Sequence, residues 1–144
     1  MIGLIITGHG QFASGLTSSV NLIGGEQKDY EAVDFLASYS TDDLDRELRK
    51  AMDNLKGCEG IIVMSDLPGG SPFKTSVIAG QDYPNVRVIA GTNLPMICEI
   101  AMARTMIEDI DSLVEMAINT GKDQIVKFEM KKPAAQTSDD SDGI

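Results

Sequence analysis

The apolar residues of this chain occur in short blocks that alternate with amphipathic stretches. Four of the blocks are rich in isoleucine and valine, and their apolar residues are continuous or nearly so; they span residues 1–7, 31–37, 60–65 and 85–91. Continuous apolar runs of this length are typical of parallel strands that are covered on both faces. We therefore expect four buried strands in one sheet.

A fifth block, residues 124–130, has a different pattern, because its apolar and polar positions alternate. Alternation with a period of two is typical of a strand that exposes one face. This block predicts a fifth strand at the edge of the sheet.

The stretches between these blocks predict helices. The clearest is 41–56, where apolar residues recur at helical spacing and Thr41 is a candidate for the capping residue. Gly121 is expected to stop the last helix. The other predicted helices span residues 12–23, 73–79, 96–104 and 109–119. Alternating strands and helices predict an α/β fold, a three-layer sandwich with a mostly parallel five-stranded sheet.

The length and composition predict one domain followed by a tail. The chain has 144 residues, which is close to the commonest domain size. We expect the domain to span residues 1–130, and we expect residues 131–144, rich in Pro, Ala, Ser and Asp, to be disordered. No apolar stretch is long enough to span a membrane, and the N-terminus does not resemble a signal peptide. These features favour a cytoplasmic protein with no membrane insertion.

The charge and the metal-binding residue types exclude several classes of function. The formal net charge is −10, and no basic face suited to nucleic acid is visible. The chain has one histidine and two isolated cysteines, Cys58 and Cys98, so a zinc or iron–sulfur site lacks ligands. We therefore expect no nucleic-acid partner, no metal and no cofactor.

Candidate chemistry follows the ends of the first and third predicted strands. His9 lies between two glycines just after the first strand, and Asp66 comes directly after the third. Ser71 and Pro72 suggest the start of a helix, whose free N–H groups suit phosphate. The carboxyl ends of parallel strands lie at one edge of a sheet, where ligands bind. The sequence therefore predicts a site that combines a histidine, a carboxylate, a hydroxyl and a helix N-terminus.

Three other interpretations of these residues have weaker support. A phosphate-binding Walker loop requires glycine before Lys74, but Phe73 stands there. A hydrolase triad of Ser71, His9 and Asp66 has the required residue types, but a serine that caps a helix is already hydrogen-bonded, and the chain has no GxSxG elbow. A non-catalytic binding module would tolerate replacement of His9.

Three motifs together resemble a known family. "GHG" (8–10), "SDLPGGSPF" (65–73) and "AGTNLPM" (90–96) resemble the mannose-type enzyme IIA of the bacterial phosphoenolpyruvate-dependent sugar phosphotransferase system. The resemblance implies that His9 accepts a phosphoryl group and that Asp66 orients its ring. It also implies that Ser71, with the backbone of Gly10 and Gly70, binds the phosphate.

The resemblance also implies partners. HPr would be the phosphoryl donor, and a separate enzyme IIB the acceptor, acting with the membrane permease components IIC and IID. Family members are homodimers whose last strand, here 124–130, crosses to the partner subunit. A similar fold and the same histidine chemistry occur in the phosphotransfer subunit of dihydroxyacetone kinase, which differs in its acceptor. The sugar stays open among mannose, fructose, sorbose and amino sugars, because enzyme IIA contacts phosphate and proteins only.

Overall fold

The computed structural model of this protein describes residues 1–131, and within them strands and helices alternate as far as the fourth helix. The strands are β1 (Gly3–His9), β2 (Tyr30–Phe35), β3 (Ile61–Ser65) and β4 (Val86–Ile89). The helices are α1 (Phe12–Gly24), α2 (Thr41–Asn54), α3 (Ser71–Gly80), α4 (Leu94–Ala103) and α5 (Ile110–Asp123).

The four strands form one parallel sheet in the order β2-β1-β3-β4. In the centre of the sheet, Leu4 of β1 is paired with Tyr30 of β2 and with Ile62 of β3. Successive side chains of a strand point to opposite faces. Leu4 and Ile6 accordingly pack with apolar residues of α1, α4 and α5, whereas Ile5 packs with those of α2 and α3. The α/β fold and the parallel sheet predicted from the sequence are confirmed.

The predicted fifth strand is not part of the sheet within residues 1–131, where the sheet has four strands, so a fifth strand exchanged between subunits stays a prediction. Residues 124–130 have no strand structure and lie beyond α5. Their apolar side chains are exposed: Ile125 at 77%, Val126 at 81%, Phe128 at 79% and Met130 at 83%. A strand forms only where a neighbour supplies backbone hydrogen bonds, and this segment has no such neighbour within residues 1–131.

Two predicted helix ends also differ in the structure. Ser40, rather than Thr41, caps α2: its hydroxyl accepts a hydrogen bond from the N–H of Asp43 at 3.1 Å, and the Asp43 carboxylate accepts one from Ser40 N–H at 2.9 Å. Helix α5 continues through Gly121 instead of stopping there. A Cβ at position 121 would lie 2.6 Å from Sδ of Met96, so this glycine allows α4 and α5 to pack closely.

The predicted tail begins at residue 131, and its residues 132–144 lie outside the described part of the chain. Among the helices of residues 1–131, none combines the length and the apolarity that a membrane span requires.

Candidate functional site

The structure brings His9 and Asp66 together at the carboxyl edge of the sheet. His9 ends β1, and Asp66 directly follows β3, which is paired with β1. Nδ1 of His9 lies 2.7 Å from Oδ2 of Asp66, and the backbone N–H of His9 donates to the same oxygen at 2.9 Å. The other carboxylate oxygen accepts from the N–H of Leu67 at 2.7 Å. The carboxylate therefore holds both the backbone and the ring of His9.

This hydrogen bond decides which ring nitrogen is available for chemistry. An ionised carboxylate only accepts hydrogen bonds, so Nδ1 carries the proton here, and in a neutral ring the lone pair is then on Nε2. The side chain of His9 is 47% exposed, whereas that of Asp66 is 11% exposed. A neutral, oriented and accessible Nε2 is the form of histidine that acts as a nucleophile.

The pKa of Asp66 reports how tightly the carboxylate is held. Partial burial acts to raise this pKa, but the hydrogen bonds from the backbone and ring of His9 and from the N–H of Leu67 outweigh it. The net effect is that the pKa of Asp66 lies below its ordinary value. Asp66 is therefore a carboxylate at neutral pH.

The loop after β4 supports Asp66 from behind. The N–H of Gly91 donates to the backbone carbonyl of Asp66 at 2.9 Å, and the N–H of Thr92 donates to that of Ser65 at 3.1 Å. Gly91 has a φ of +76°, a conformation that glycine adopts without strain. The "AGTNLPM" motif thus fixes the loop that carries Asp66, a role that its local sequence does not indicate.

The start of α3 lies against the imidazole. Gly70 is the N-cap residue of this helix, so Ser71 is its first residue and not the cap that the sequence predicted. No side chain of the described residues caps α3, and Lys74 is the first residue whose N–H bonds to a helical carbonyl, that of Gly70, at 2.9 Å. The Ser71 hydroxyl is therefore free of the capping role, and the first N–H groups of α3 lack partners within the helix.

Gly70 is close to the reactive side of the His9 ring. A Cβ at position 70 would lie 2.8 Å from Cε1 and 3.6 Å from Nε2 of His9. Only a residue without a side chain allows the positive end of α3 to approach the ring this closely. An anion bound to Nε2 would thus meet the N-terminus of this helix.

The two glycines beside His9 have different roles from each other. A Cβ at Gly8 would lie 2.4 Å from the ring of Phe12, so Gly8 allows Phe12 to pack. Gly10 has a φ of +59°, and a Cβ placed there would have no neighbouring atom within 4 Å. The N–H of Gly10 donates to the Phe35 carbonyl at 2.8 Å. Gly10 therefore contributes open space beside His9.

The end of β2 contributes two residues that the sequence analysis did not select. The ring of Phe35 packs beside that of His9 with centroids 5.9 Å apart. The carboxylate of Asp34 accepts a hydrogen bond from the N–H of Ser14 in α1 at 2.9 Å. Pairing of β2 with β1 places both residues next to the site, since Asp34 is paired with Gly8 and Phe35 with His9. No local pattern marks either residue.

Comparison with known proteins assigns the family. The family model described as "PTS system fructose IIA component", where PTS denotes the phosphotransferase system, matches residues 3–118. The mannose-specific EIIAB component of Escherichia coli (strain K12) is 30% identical over 130 residues. That alignment covers 90% of this chain, and this chain spans 40% of the length of that relative.

Two solved structures are similar over nearly their whole length. The EIIA component from Streptococcus agalactiae is 35% identical, with a TM-score of 0.81 over 88% of this chain and 97% of that chain. The mannose/sorbose-specific IIA subunit from Enterococcus faecalis is 28% identical, with a TM-score of 0.82 over 90% of this chain and 96% of that chain. With the family model, these likenesses lead to one conclusion: the chain belongs to the fructose- and mannose-type IIA family of the phosphotransferase system.

Proposed function

We propose that this protein is a phosphohistidine carrier, which accepts a phosphoryl group from HPr on Nε2 of His9 and passes it to enzyme IIB during sugar uptake and phosphorylation. The observation that carries the proposal is the 2.7 Å contact between Nδ1 of His9 and Asp66. This contact places the proton of a neutral His9 ring on Nδ1, which leaves the lone pair on Nε2. The side chain is 47% exposed, and Nε2 lies beside the N-terminus of α3. Those are the requirements of a nitrogen that attacks phosphorus.

The transfer step follows from this geometry. The Nε2 lone pair attacks the phosphorus of the phosphohistidine of HPr, an N–P bond forms, and the N–P bond of the donor breaks, returning its electron pair to the donor ring. Positive charge develops on the His9 ring and is stabilised by the Asp66 carboxylate. In the onward step a nucleophile of enzyme IIB attacks the phosphorus and forms a new bond to it, while the N–P bond at Nε2 breaks and returns its electron pair to the His9 ring.

Ser71, Gly70 and Gly10 have distinct roles in this proposal. The Ser71 hydroxyl and the free N–H groups of α3 would donate to the phosphoryl oxygens. Gly70 would keep that helix end close to the ring. The N–H of Gly10 is bonded to the Phe35 carbonyl and would not donate to the phosphate. Gly10 would instead leave room for the partner protein.

We also propose a homodimer in which residues 124–130 form the fifth strand on the sheet of a second copy. The alternating apolar side chains of this segment are exposed here, from Ile125 at 77% to Met130 at 83%. Strand β4 ends the sheet and has one unpaired edge within the described residues. An alternating strand and an open edge are complementary.

The permease components IIC and IID and a cytoplasmic site of action complete the proposal. The relatives are named for three different sugars, mannose, fructose and sorbose. The proposal therefore assigns no sugar to this protein and expects the other components of the transporter to select it.

The alternative functions are less well supported. A hydrolase triad requires a hydrogen bond between the serine and the histidine, and none joins Ser71 to His9 in residues 1–131. The dihydroxyacetone kinase subunit shares the histidine chemistry, but the relatives named above are phosphotransferase-system components.

The test is phosphorylation by phosphorylated HPr, measured by intact mass with and without acid treatment. One added, acid-labile phosphate is expected on the wild-type protein and none on His9→Ala. Gln11→Ala, next to the site but with no assigned role, serves as the control. Onward transfer to enzyme IIB, and none to a dihydroxyacetone kinase subunit, would distinguish the two acceptors. Normal phosphorylation of a folded His9→Ala protein would refute the proposal.

A further inference from the structure

The turn that joins His9 to α1 has little local support. Gly10 follows His9 with a φ of +59°, and the N-cap residue of α1, Gln11, makes no side-chain capping bond. A glycine in this conformation and an uncapped helix start leave the backbone free to move. The stability of this turn must therefore come from another part of the chain.

The end of β2 supplies that support through two hydrogen bonds. The Phe35 carbonyl accepts from the N–H of Gly10 at 2.8 Å, and the Asp34 carboxylate accepts from the N–H of Ser14 at 2.9 Å. The two bonds bracket the turn, one on each side of Gln11. Together they attach the segment that follows His9 to the neighbouring strand.

The bond from Asp34 also differs from the caps of other helices. Helices α2, α4 and α5 are capped by their own N-cap side chains, Ser40, Asn93 and Asp109. In α1 the acceptor comes from a residue 20 positions along the chain, on a different strand. Asp34 is paired with Gly8, which lacks a side chain, and this leaves Phe12 room to pack there. A cap of this kind links the position of α1 to the strand beside His9.

From this arrangement we infer that Asp34 is a positioning residue for phosphoryl transfer: its carboxylate, bonded to Ser14, holds the turn that aims His9. The inference rests on the proposed phosphocarrier function. Asp34 acts through the backbone and does not touch the phosphoryl group. A nucleophile displaced by about 1 Å loses on the order of a hundredfold in rate, so partial loosening of the turn is expected to cost about tenfold.

The kinetic test compares three substitutions. Asp34→Ala removes the acceptor, Asp34→Asn keeps an oxygen at the same reach, and Asp42→Asn removes an exposed charge from the first turn of α2. Asp34→Ala is expected to lower the maximal rate of phosphorylation about tenfold, while the phosphorylated HPr concentration at half-maximal rate stays within twofold. Asp34→Asn and Asp42→Asn are expected to transfer at nearly the wild-type rate. Should Asp34→Ala fail to fold, Asp34→Val removes the same acceptor with a residue that favours strands.

A spectroscopic test does not depend on activity. His9 is the only histidine of the chain, so its imidazole signals in NMR spectra are unambiguous. In Asp34→Ala we expect the ring signals of His9 to shift and the amide hydrogens of Gly10 and Ser14 to exchange at least tenfold faster. Asp34→Asn is expected to keep the wild-type spectrum at these positions.

The outcomes separate this inference from the proposed function. A folded Asp34→Ala protein with wild-type rate and unchanged His9 signals would overturn the positioning role. An Asp34→Asn protein as slow as Asp34→Ala would also overturn it, because charge and not the hydrogen bond would then be responsible. If wild-type protein took no phosphate from HPr, the proposed function would fail, while the NMR comparison would still decide whether Asp34 positions His9.

Discussion

Gly70 lies so close to His9 that a β-carbon at position 70 would be 2.8 Å from Cε1 of the imidazole. The backbone of Gly70 is extended, with a φ of −75°, so alanine fits its conformation and only the contact with the ring opposes it. Gly10 presents the opposite case, because its φ is +59° and the space around it is open. The two glycines therefore allow steric and conformational effects to be separated.

Gly70→Ala is expected to fold and to be phosphorylated roughly tenfold to a hundredfold more slowly, because the His9 ring must move away from the new methyl group. Gly10→Ala is expected to lower the free energy of unfolding by about 1–2 kcal/mol and to weaken docking of phosphorylated HPr, while the maximal rate stays near wild type. Thermal unfolding and phosphorylation rates measured on both variants check this. Equal rates for the two variants would contradict it.

Asp66→Asn is expected to fold and to slow phosphorylation by about a hundredfold or more, since the amide no longer stabilises positive charge on the His9 ring. The rate of phosphate incorporation from phosphorylated HPr measures the effect. Asp111→Asn, which removes an exposed partner of Arg87, is the control and should transfer normally. A rate for Asp66→Asn within threefold of wild type would argue against the assigned role.

The lowered pKa of Asp66 predicts how stability depends on pH. A carboxyl group whose pKa is lower in the folded state stabilises that state above its unfolded pKa of about 4. This contribution is lost as the pH falls through the lower, folded value. The free energy of unfolding of wild type and of Asp66→Asn, measured with denaturant at several pH values, checks this. Wild type should exceed Asp66→Asn by the largest amount near neutral pH, and the difference should shrink below pH 4. A difference in the free energy of unfolding that grows as the pH falls would contradict a lowered pKa of Asp66.

Ser71→Ala is expected to retain phosphorylation on His9 but to slow it about tenfold, the effect of losing one hydrogen bond to a charged group. The hydroxyl does not cap α3, so stability should change little. Ser18→Ala is the matched control, because that hydroxyl donates only to Gly15 in its own helix. Complete loss of phosphate from Ser71→Ala would instead indicate that Ser71 takes part in the bond-making step.

Removal of residues 125–144 is expected to convert the proposed dimer into a monomer, because the segment that would add to the sheet of a second copy is lost. Light scattering at micromolar concentrations measures the change. Phe128→Asp should weaken the dimer, whereas Glu129→Gln, on the alternate face of the segment, should not. A full-length chain that is monomeric, or a truncated chain that stays dimeric, would refute strand exchange.

Much of the site could be predicted from local pattern alone. Apolar runs located all four strands of the sheet, and the geometry of parallel strands placed His9 and Asp66 at the same edge. The start of α3 was also correctly located, but its cap was wrong by one residue. Ser71 and Gly70 are both suitable N-cap residues, and only the backbone conformation of the folded chain distinguishes them.

The sequence by itself determined the order of the four strands and five helices of residues 3–123, the edge on which the candidate site lies and the choice of His9 as the proposed nucleophile, because these depend on residues close together in the chain. The tertiary structure decided what each glycine and each loop does. Gly8 packs against Phe12, Gly121 against Met96, and the backbone of Asp66 is held by Gly91. A glycine has the same local appearance whether it permits a turn or a close contact, so the neighbour that defines its role is known only when distant segments pack together.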